Sequence, residues 1–237
     1  MKNKRTLVSI DWDFFIPEKP EWDLGHKENA MFLNMMWHMR GHLIPHIKTS
    51  GLEKEFHKRI KHRGLVAVSD SHAFAYNPNI DKFDEIILFD AHHDCWATPE
   101  DGGIMCHNWA RACLEENPKA KLTWVYPRKE SLGYYPVPDD LAARVRLQDI
   151  ASLEGQTDAT VLHICRSGCW TPPWLDQAFI DFVKSFGNTN NILSLQDNEW
   201  DPMNIRWSED QIKQVIRMTE VMEEQMNKLR RMYTSSC

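Results

Sequence analysis

The sequence of 237 residues carries a net charge of -6, with 42% hydrophobic and 26% charged residues. This length and composition suit one globular α/β domain over residues 1–237, and the acidic balance excludes a general nucleic-acid footprint. No apolar run reaches the roughly 18 residues needed to span a bilayer, so neither nucleic acid nor membrane is expected as a partner; a homo-oligomer stays open.

Leu7–Ile10 reads as a short strand ending in Asp11-Trp12-Asp13-Phe14-Phe15. The basic start before it runs so soon into acids that no signal peptide is expected. Asp11 and Asp13 stand two apart and so share one side of an extended strand end. An exposed acidic loop is the plainer alternative. Against it, Ile10, Trp12, Phe14 and Phe15 make the surroundings apolar, where two like charges repel unless a cation lies between them. Metal ligation is therefore expected.

From Glu28 to Lys48 the spacing of Ala30, Leu33, Met36 and Trp37 is helical. His38, His42 and His46 would share one face of that helix, but Gly41 and Pro45 interrupt it, which favours core over a second metal site. Leu52–Arg63 reads as a basic amphipathic helix. Leu65–Val68 is the next strand, and it leads through Ser69-Asp70-Ser71 to His72, a further candidate ligand; Asp70 is left open.

Ile86–Phe89 is a run of four apolar residues, as expected for a strand buried on both faces of a parallel sheet. Beyond it Asp90, His92 and Asp94 alternate, so all three point to one side. They would do so past the carboxyl end of a strand, where open α/β sheets place their sites. His93 points the other way, either into packing or into support behind the ligands. An oxygen-rich set with one or two imidazoles suits a hard octahedral ion such as manganese. Together Asp11, Asp13, His72, Asp90, His92 and Asp94 suffice for two ions about 3.5–4 Å apart with a bridging water.

A loop from Cys95 to Cys106 precedes a helix from His107 to Asn117, stopped by Pro118. Leu122–Tyr126 is a strand, and 127–157 reads as mostly loop with a short helix from Asp139. Thr160–Ile164 is a strand. Thr171-Pro172 opens a helix that runs to Phe186 and stops at Gly187. Asn191–Leu195 is a last strand. Ser208 caps a final helix with a stripe of Ile212, Val215, Ile216, Met222 and Met226. The pattern predicts a single α/β domain, a mostly parallel sheet with helices on both faces. Six scattered cysteines predict free thiols in a reduced, cytoplasmic setting. Cys165 and Cys169 lack the partners of a zinc site.

The D-A-H-x-D run from Asp90 to Asp94 resembles the arginase (ureohydrolase) family. That resemblance implies an arginase/deacetylase-like three-layer sandwich and a pair of Mn2+ ions. Ser9-Ile10-Asp11-Trp12-Asp13 has the family's S-x-D-x-D form, with Pro17 at its proline spacing, but stands upstream of the first motif. The downstream position holds Ile164-Cys165-Arg166-Ser167, without an acid. The resemblance thus implies an N-terminal strand permuted in sequence that keeps its place at the site. The family's G-G-D-H-S is altered to Ser69-Asp70-Ser71-His72.

His107, thirteen residues after Asp94, matches the family's proton-shuttle histidine. Glu199, in Leu195-Gln196-Asp197-Asn198-Glu199-Trp200-Asp201-Pro202, matches the glutamate that grips the substrate guanidinium. A helix-capping histidine and a solvated loop acid are the structural alternatives. Trp96 replaces the asparagine that helps hold the α-carboxylate of free arginine, and an indole cannot donate to it as an amide does. With Trp109, Trp170 and Trp174 it suggests an aromatic groove for a larger ligand. The chain looks like the peptide arginases, which implies Mn2+-dependent hydrolysis of arginine side chains in a ribosomally made precursor peptide to ornithine and urea. A ureohydrolase or deacetylase-like amidohydrolase acting on a free small molecule, and a non-catalytic metal-containing peptide-binding protein, are the alternatives.

Overall fold

Short apolar runs, each too brief for a helix, set the architecture by pairing side by side. The computed structural model describes residues 4–16, 49–77, 82–97, 103–127, 136–153, 155–168, 170–171, 175–187, 191–195 and scattered positions between 213 and 231. Among them, β1 (Thr6–Asp11), β2 (Ile60–Ser69), β3 (Glu85–Phe89), β4 (Lys121–Val125), β5 (Val145–Gln148), β6 (Thr157–Cys165) and β7 (Ile192–Ser194) form one sheet. Its order is β5-β4-β3-β1-β6-β2-β7, and every pairing is parallel.

Alternate residues of each strand feed two cores. On one face Val8, Ile10, Ile87 and Phe89 meet Phe56 of α1 (Glu53–Arg59) and Phe179 and Phe182 of α3 (Asp176–Lys184). On the other, Leu7, Ile86, Leu88 and Leu122 meet Trp109 and Leu114 of α2 (Trp109–Glu116). The result is the expected three-layer α/β arrangement. β1 lies at the centre, between β3 and β6. Its register Ile10↔Phe89 brings the following residues, Asp11 and Asp90, side by side at the carboxyl edge. The N-terminal strand therefore does stand beside the strand of the central motif.

Three expectations need correction. The helix expected over 52–63 stops at Arg59, because Ile60 already pairs with Thr157 as the start of β2. The register shifts between His62 and Leu65, and there a Cβ on Gly64 would collide with the Thr160 carbonyl, so glycine is required. Within the expected loop of 127–157 lies β5, an edge strand. Leu147 is exposed, so no apolar run announces the strand, and its pairing with β4 supplies the order. Thr171 does not cap α3: its hydroxyl donates to the Arg166 carbonyl at 2.6 Å, and Leu175 stands at the cap position.

α2 ends as expected before Pro118, and Arg144 closes it by donating to the carbonyls of Leu114, Asn117 and Ala120. The described positions between 213 and 231 are helical, in line with the expected last helix. The apolar stripe of that helix, the helix expected over 28–48 with its three histidines, and Pro17 lie outside the described residues. Among the described residues no helix is long and apolar enough to cross a membrane.

Candidate metal centre

The carboxyl ends of β1, β2 and β3 deliver the acids and imidazoles. Asp11 ends β1 and accepts at Oδ1 from the Asp13 N–H, which folds the chain into a short 3-10 turn over Trp12–Phe15. β2 is separated from β3 by two strands. A second 3-10 turn, His72–Ala75, nevertheless brings His72 over Trp109 of α2, the rings 4.9 Å apart. Past β3, Asp90 Oδ1 accepts from the His92 N–H at 2.9 Å, which bends the backbone sharply after the strand.

Asp94 adopts a left-handed backbone, φ 49°, a conformation that aspartate tolerates better than most residues. Its carbonyl accepts the Ala110 and Arg111 N–H groups at 3.1 and 3.3 Å, so the same residue closes the first turn of α2. Its carboxylate accepts the Trp109 Nε1–H at 2.6 Å. The position of Asp94 is thereby held from both its backbone and its side chain.

These elements converge on His72. Its Nδ1 lies 3.1 Å from Asp90 Oδ2, 3.1 Å from Asp94 Oδ2 and 3.7 Å from Asp11 Oδ2, with all four residues buried. On the far side of Asp90, His92 Nδ1 lies 3.4 Å from Oδ1. One carboxylate thus faces an imidazole with each of its oxygens. Burial would depress the His72 pKa, but hydrogen bonds to Asp90 and Asp94 and their charges raise it well above its ordinary value. Burial likewise would raise Asp90, and its bonds to His72 and His92 instead hold it low. Asp94 is pushed up to about 6, by burial and then by the charge of Asp90. Three buried carboxylates around one imidazole call for a cation, and water is excluded from supplying the solvation.

Among the described residues, Asp11, His72 and Asp90 form a group that could hold a metal ion, with one ligand atom from each within 4.8 Å of the others. The donor set fits: two hard oxygens and one imidazole nitrogen, all buried. Asp94 and His92 stand against this trio through the contacts above. Asp13 is buried in the adjoining turn and Asp70 is engaged elsewhere, with the Arg166 guanidinium. His93 is packing, as expected: its Nδ1 accepts the Cys95 N–H, and burial lowers its pKa to about 4.

Trp109 corrects one expectation. It is fully buried in the core and serves the centre as a donor, so it lines no groove. Trp96 is 38% exposed, its ring 5.2 Å from that of His93, and Trp170 sits 6.5 Å from the His92 ring. His107 is half-buried in the turn before α2, and its carbonyl accepts the Trp96 N–H at 3.1 Å. Asn108, rather than His107, holds the cap position of that helix. Glu199, Trp174 and Cys169 lie outside the described residues; Cys165 is a buried free thiol.

Sequence reasoning missed Ser9 as a functional contact, together with Ser69 and His163. Ser9 Oγ lies 2.7 Å from His72 Nε2 and 2.9 Å from His163 Nδ1, and Ser69 Oγ lies 2.9 Å from His163 Nε2. The available signal was a histidine inside an otherwise apolar buried strand, Thr160–Ile164. Comparison of the chain with family models, with curated proteins and with solved structures gives no match.

Proposed function

We propose that the chain is a manganese-dependent hydrolase of peptidyl arginine, releasing urea and leaving ornithine. The observation that carries this reading is the placement of Asp90, with Oδ2 toward His72 and Oδ1 toward His92. Asp90, facing two imidazoles, would hold metal together with His72 and His92, with Asp11 and Asp94 completing the oxygen donors. The position of β1 beside β3 supports the permuted-strand relation to the arginase family. When bound, Mn2+ ions would supply a nucleophilic hydroxide near neutral pH.

The residues of the chain divide the remaining work. Glu199 pairs with the guanidinium through two parallel hydrogen bonds. His107 moves the proton to the leaving amine. Trp96 is exposed, and by the arginase resemblance it stands where a free amino acid would need a hydrogen-bond donor, which an indole does not replace. A peptide therefore suits the site better than free arginine.

The deciding experiment is mass spectrometry of an arginine-containing peptide incubated with the protein and Mn2+. The expected result is the mass change of arginine to ornithine, matched by released urea and absent with free arginine. An unchanged peptide would reject the reaction. The compact trio of Asp11, His72 and Asp90 favours one further reading, a one-ion amidohydrolase. Metal analysis giving one ion per chain would select it over the two-ion enzyme.

A further inference from the structure

Behind the three carboxylates runs a closed chain of hydrogen bonds that the proposed reaction does not use. Ser9 and His163 are paired residues of the adjacent strands β1 and β6, and Ser9 Oγ lies 2.9 Å from His163 Nδ1. Ser69, two residues beyond the β2 partner of His163, lies 2.9 Å from His163 Nε2. The Ser69 hydroxyl donates to the Ser71 carbonyl at 2.7 Å. Ser9 Oγ also meets His72 Nε2 at 2.7 Å. Ser71 directly precedes His72, so the chain leaves from the His72 ring and returns to its backbone.

A carbonyl can only accept, and with a neutral His163 this fixes the direction of every bond in the chain. The Ser69 proton goes to Ser71, so Ser69 Oγ accepts from His163 Nε2–H. A neutral His163 protonated at Nε2 has a lone pair at Nδ1, which takes the Ser9 proton. Ser9 Oγ then accepts from His72 Nε2–H. The Nδ1 of His72 is left outside the chain, facing Asp11, Asp90 and Asp94. The two rings lie nearly parallel, 21° between planes and 5.6 Å between centroids, so neither can turn without breaking two bonds.

We infer that His163 is a positioning residue for the metal centre: through Ser9 it keeps a proton on His72 Nε2, so that Nδ1, which hydrogen-bonds the carboxylates in the metal-free protein, is the atom whose proton a cation would displace. Such outer partners set the tautomer and ring orientation of a ligating histidine. The inference rests on metal binding at Asp11, His72 and Asp90, and does not depend on the arginine substrate.

Its test has two parts, both on the full chain. Long-range 1H–15N spectra of the metal-free wild-type protein read the histidine tautomers without any substitution. His163 is expected as the neutral Nε2–H form; an Nδ1–H form or an imidazolium would overturn the inference. Calorimetric titration with Mn2+ then compares variants. His163→Leu is expected to weaken binding about 10- to 100-fold. His163→Asn, which keeps an acceptor near the Nδ1 position for Ser9, should recover most of that loss. Equal affinity for wild type and His163→Leu would sink the role, as would a wild-type protein that binds no Mn2+. Tight Mn2+ binding without urea release would reject the arginine reaction alone, and a weaker His163→Leu would still support the positioning role.

Discussion

Two buried clusters of charge sit within a few residues of each other at the carboxyl edge of the sheet, and they are built on opposite terms. Beyond β6, Arg166 donates from Nε and Nη2 to Asp176 Oδ1 at 2.9 and 2.7 Å, and from Nη1 to Asp70 Oδ1 at 3.1 Å. A guanidinium does not lose its proton in a protein, so this cluster brings its own permanent cation. Its two acids also keep some contact with water, at 16% and 15% side-chain exposure. In the centre Asp11, Asp90 and Asp94 keep less, at 8%, 1% and 5%, and all three face the His72 imidazole. The first cluster is complete within the chain. Among the described residues the second holds no such permanent cation, and a proton or a metal ion would balance it, which is the difference between a structural ion pair and a candidate binding site.

The comparison breaks most sharply at Asp90. Asp90→Asn should reduce bound Mn2+ to background in elemental analysis of the purified protein, whereas substitutions at the Arg166 cluster should leave metal content unchanged. Full occupancy in Asp90→Asn would remove it from the ligand set. The reverse holds for stability. Arg166→Met leaves Asp70 and Asp176 without their cation, and is expected to cost about 3–5 kcal/mol in urea unfolding. A cost near zero would mean that solvent already neutralises the pair.

Acidity sharpens the contrast. The folded protein raises Asp94 from 3.8 to about 6, so metal-free protein binds an extra proton and loses stability as pH rises through that range. His72, also raised, has the same sign: its contribution is present below its ordinary value of 6.5 and lost as pH climbs through the folded one. Asp90, held low, acts oppositely and matters only toward strong acid. His93 and His163, held low by burial, oppose both below their ordinary 6.5, so melting temperatures of chelator-treated protein should fall above about pH 7, where only the His72 contribution is still being lost, and saturating Mn2+ should flatten the decline. A flat metal-free profile would contradict the assigned balance of charges.

Smaller effects follow at the edges of the centre. Trp109→Phe keeps the core ring but removes the donor to Asp94, and should cost about 1.5–3 kcal/mol, the worth of a hydrogen bond to a charged group. Trp96→Ala, at an exposed site, should change stability by no more than about 0.5 kcal/mol. Its expected effect is a higher KM for a peptide substrate with metal affinity intact, and an unchanged KM would remove Trp96 from recognition.

The strands β1, β3, β4 and β6 are legible because each is an apolar run bounded by polar or turn residues, and burial on both faces leaves no polar alternation to confuse them. β5 is not legible: at the sheet edge it needs few apolar side chains, and its order comes from β4. The length of β2 is hidden for a related reason, since Lys61 and His62 read as part of a solvated helix until β6 pairs with them. In the centre, Asp11, His72, Asp90 and Asp94 are recognisable as acids and imidazoles at strand ends. Trp109 misleads, because an indole reads as rim or core from sequence and only its neighbour Asp94 shows what its N–H does.

What the sequence by itself determined is the supply: parallel strands, because apolar runs of four or five residues must be covered on both faces, and metal-seeking side chains at their carboxyl ends. What only the tertiary structure decided is which of them meet. Sheet order brings β1 against β3 and β6, and a short turn carries His72 across two strands to Asp90, contacts separated by many residues along the chain. Hydrogen-bond direction through Ser9, His163 and Ser69 is likewise a property of three strands lying in register, so no local pattern of residues encodes it.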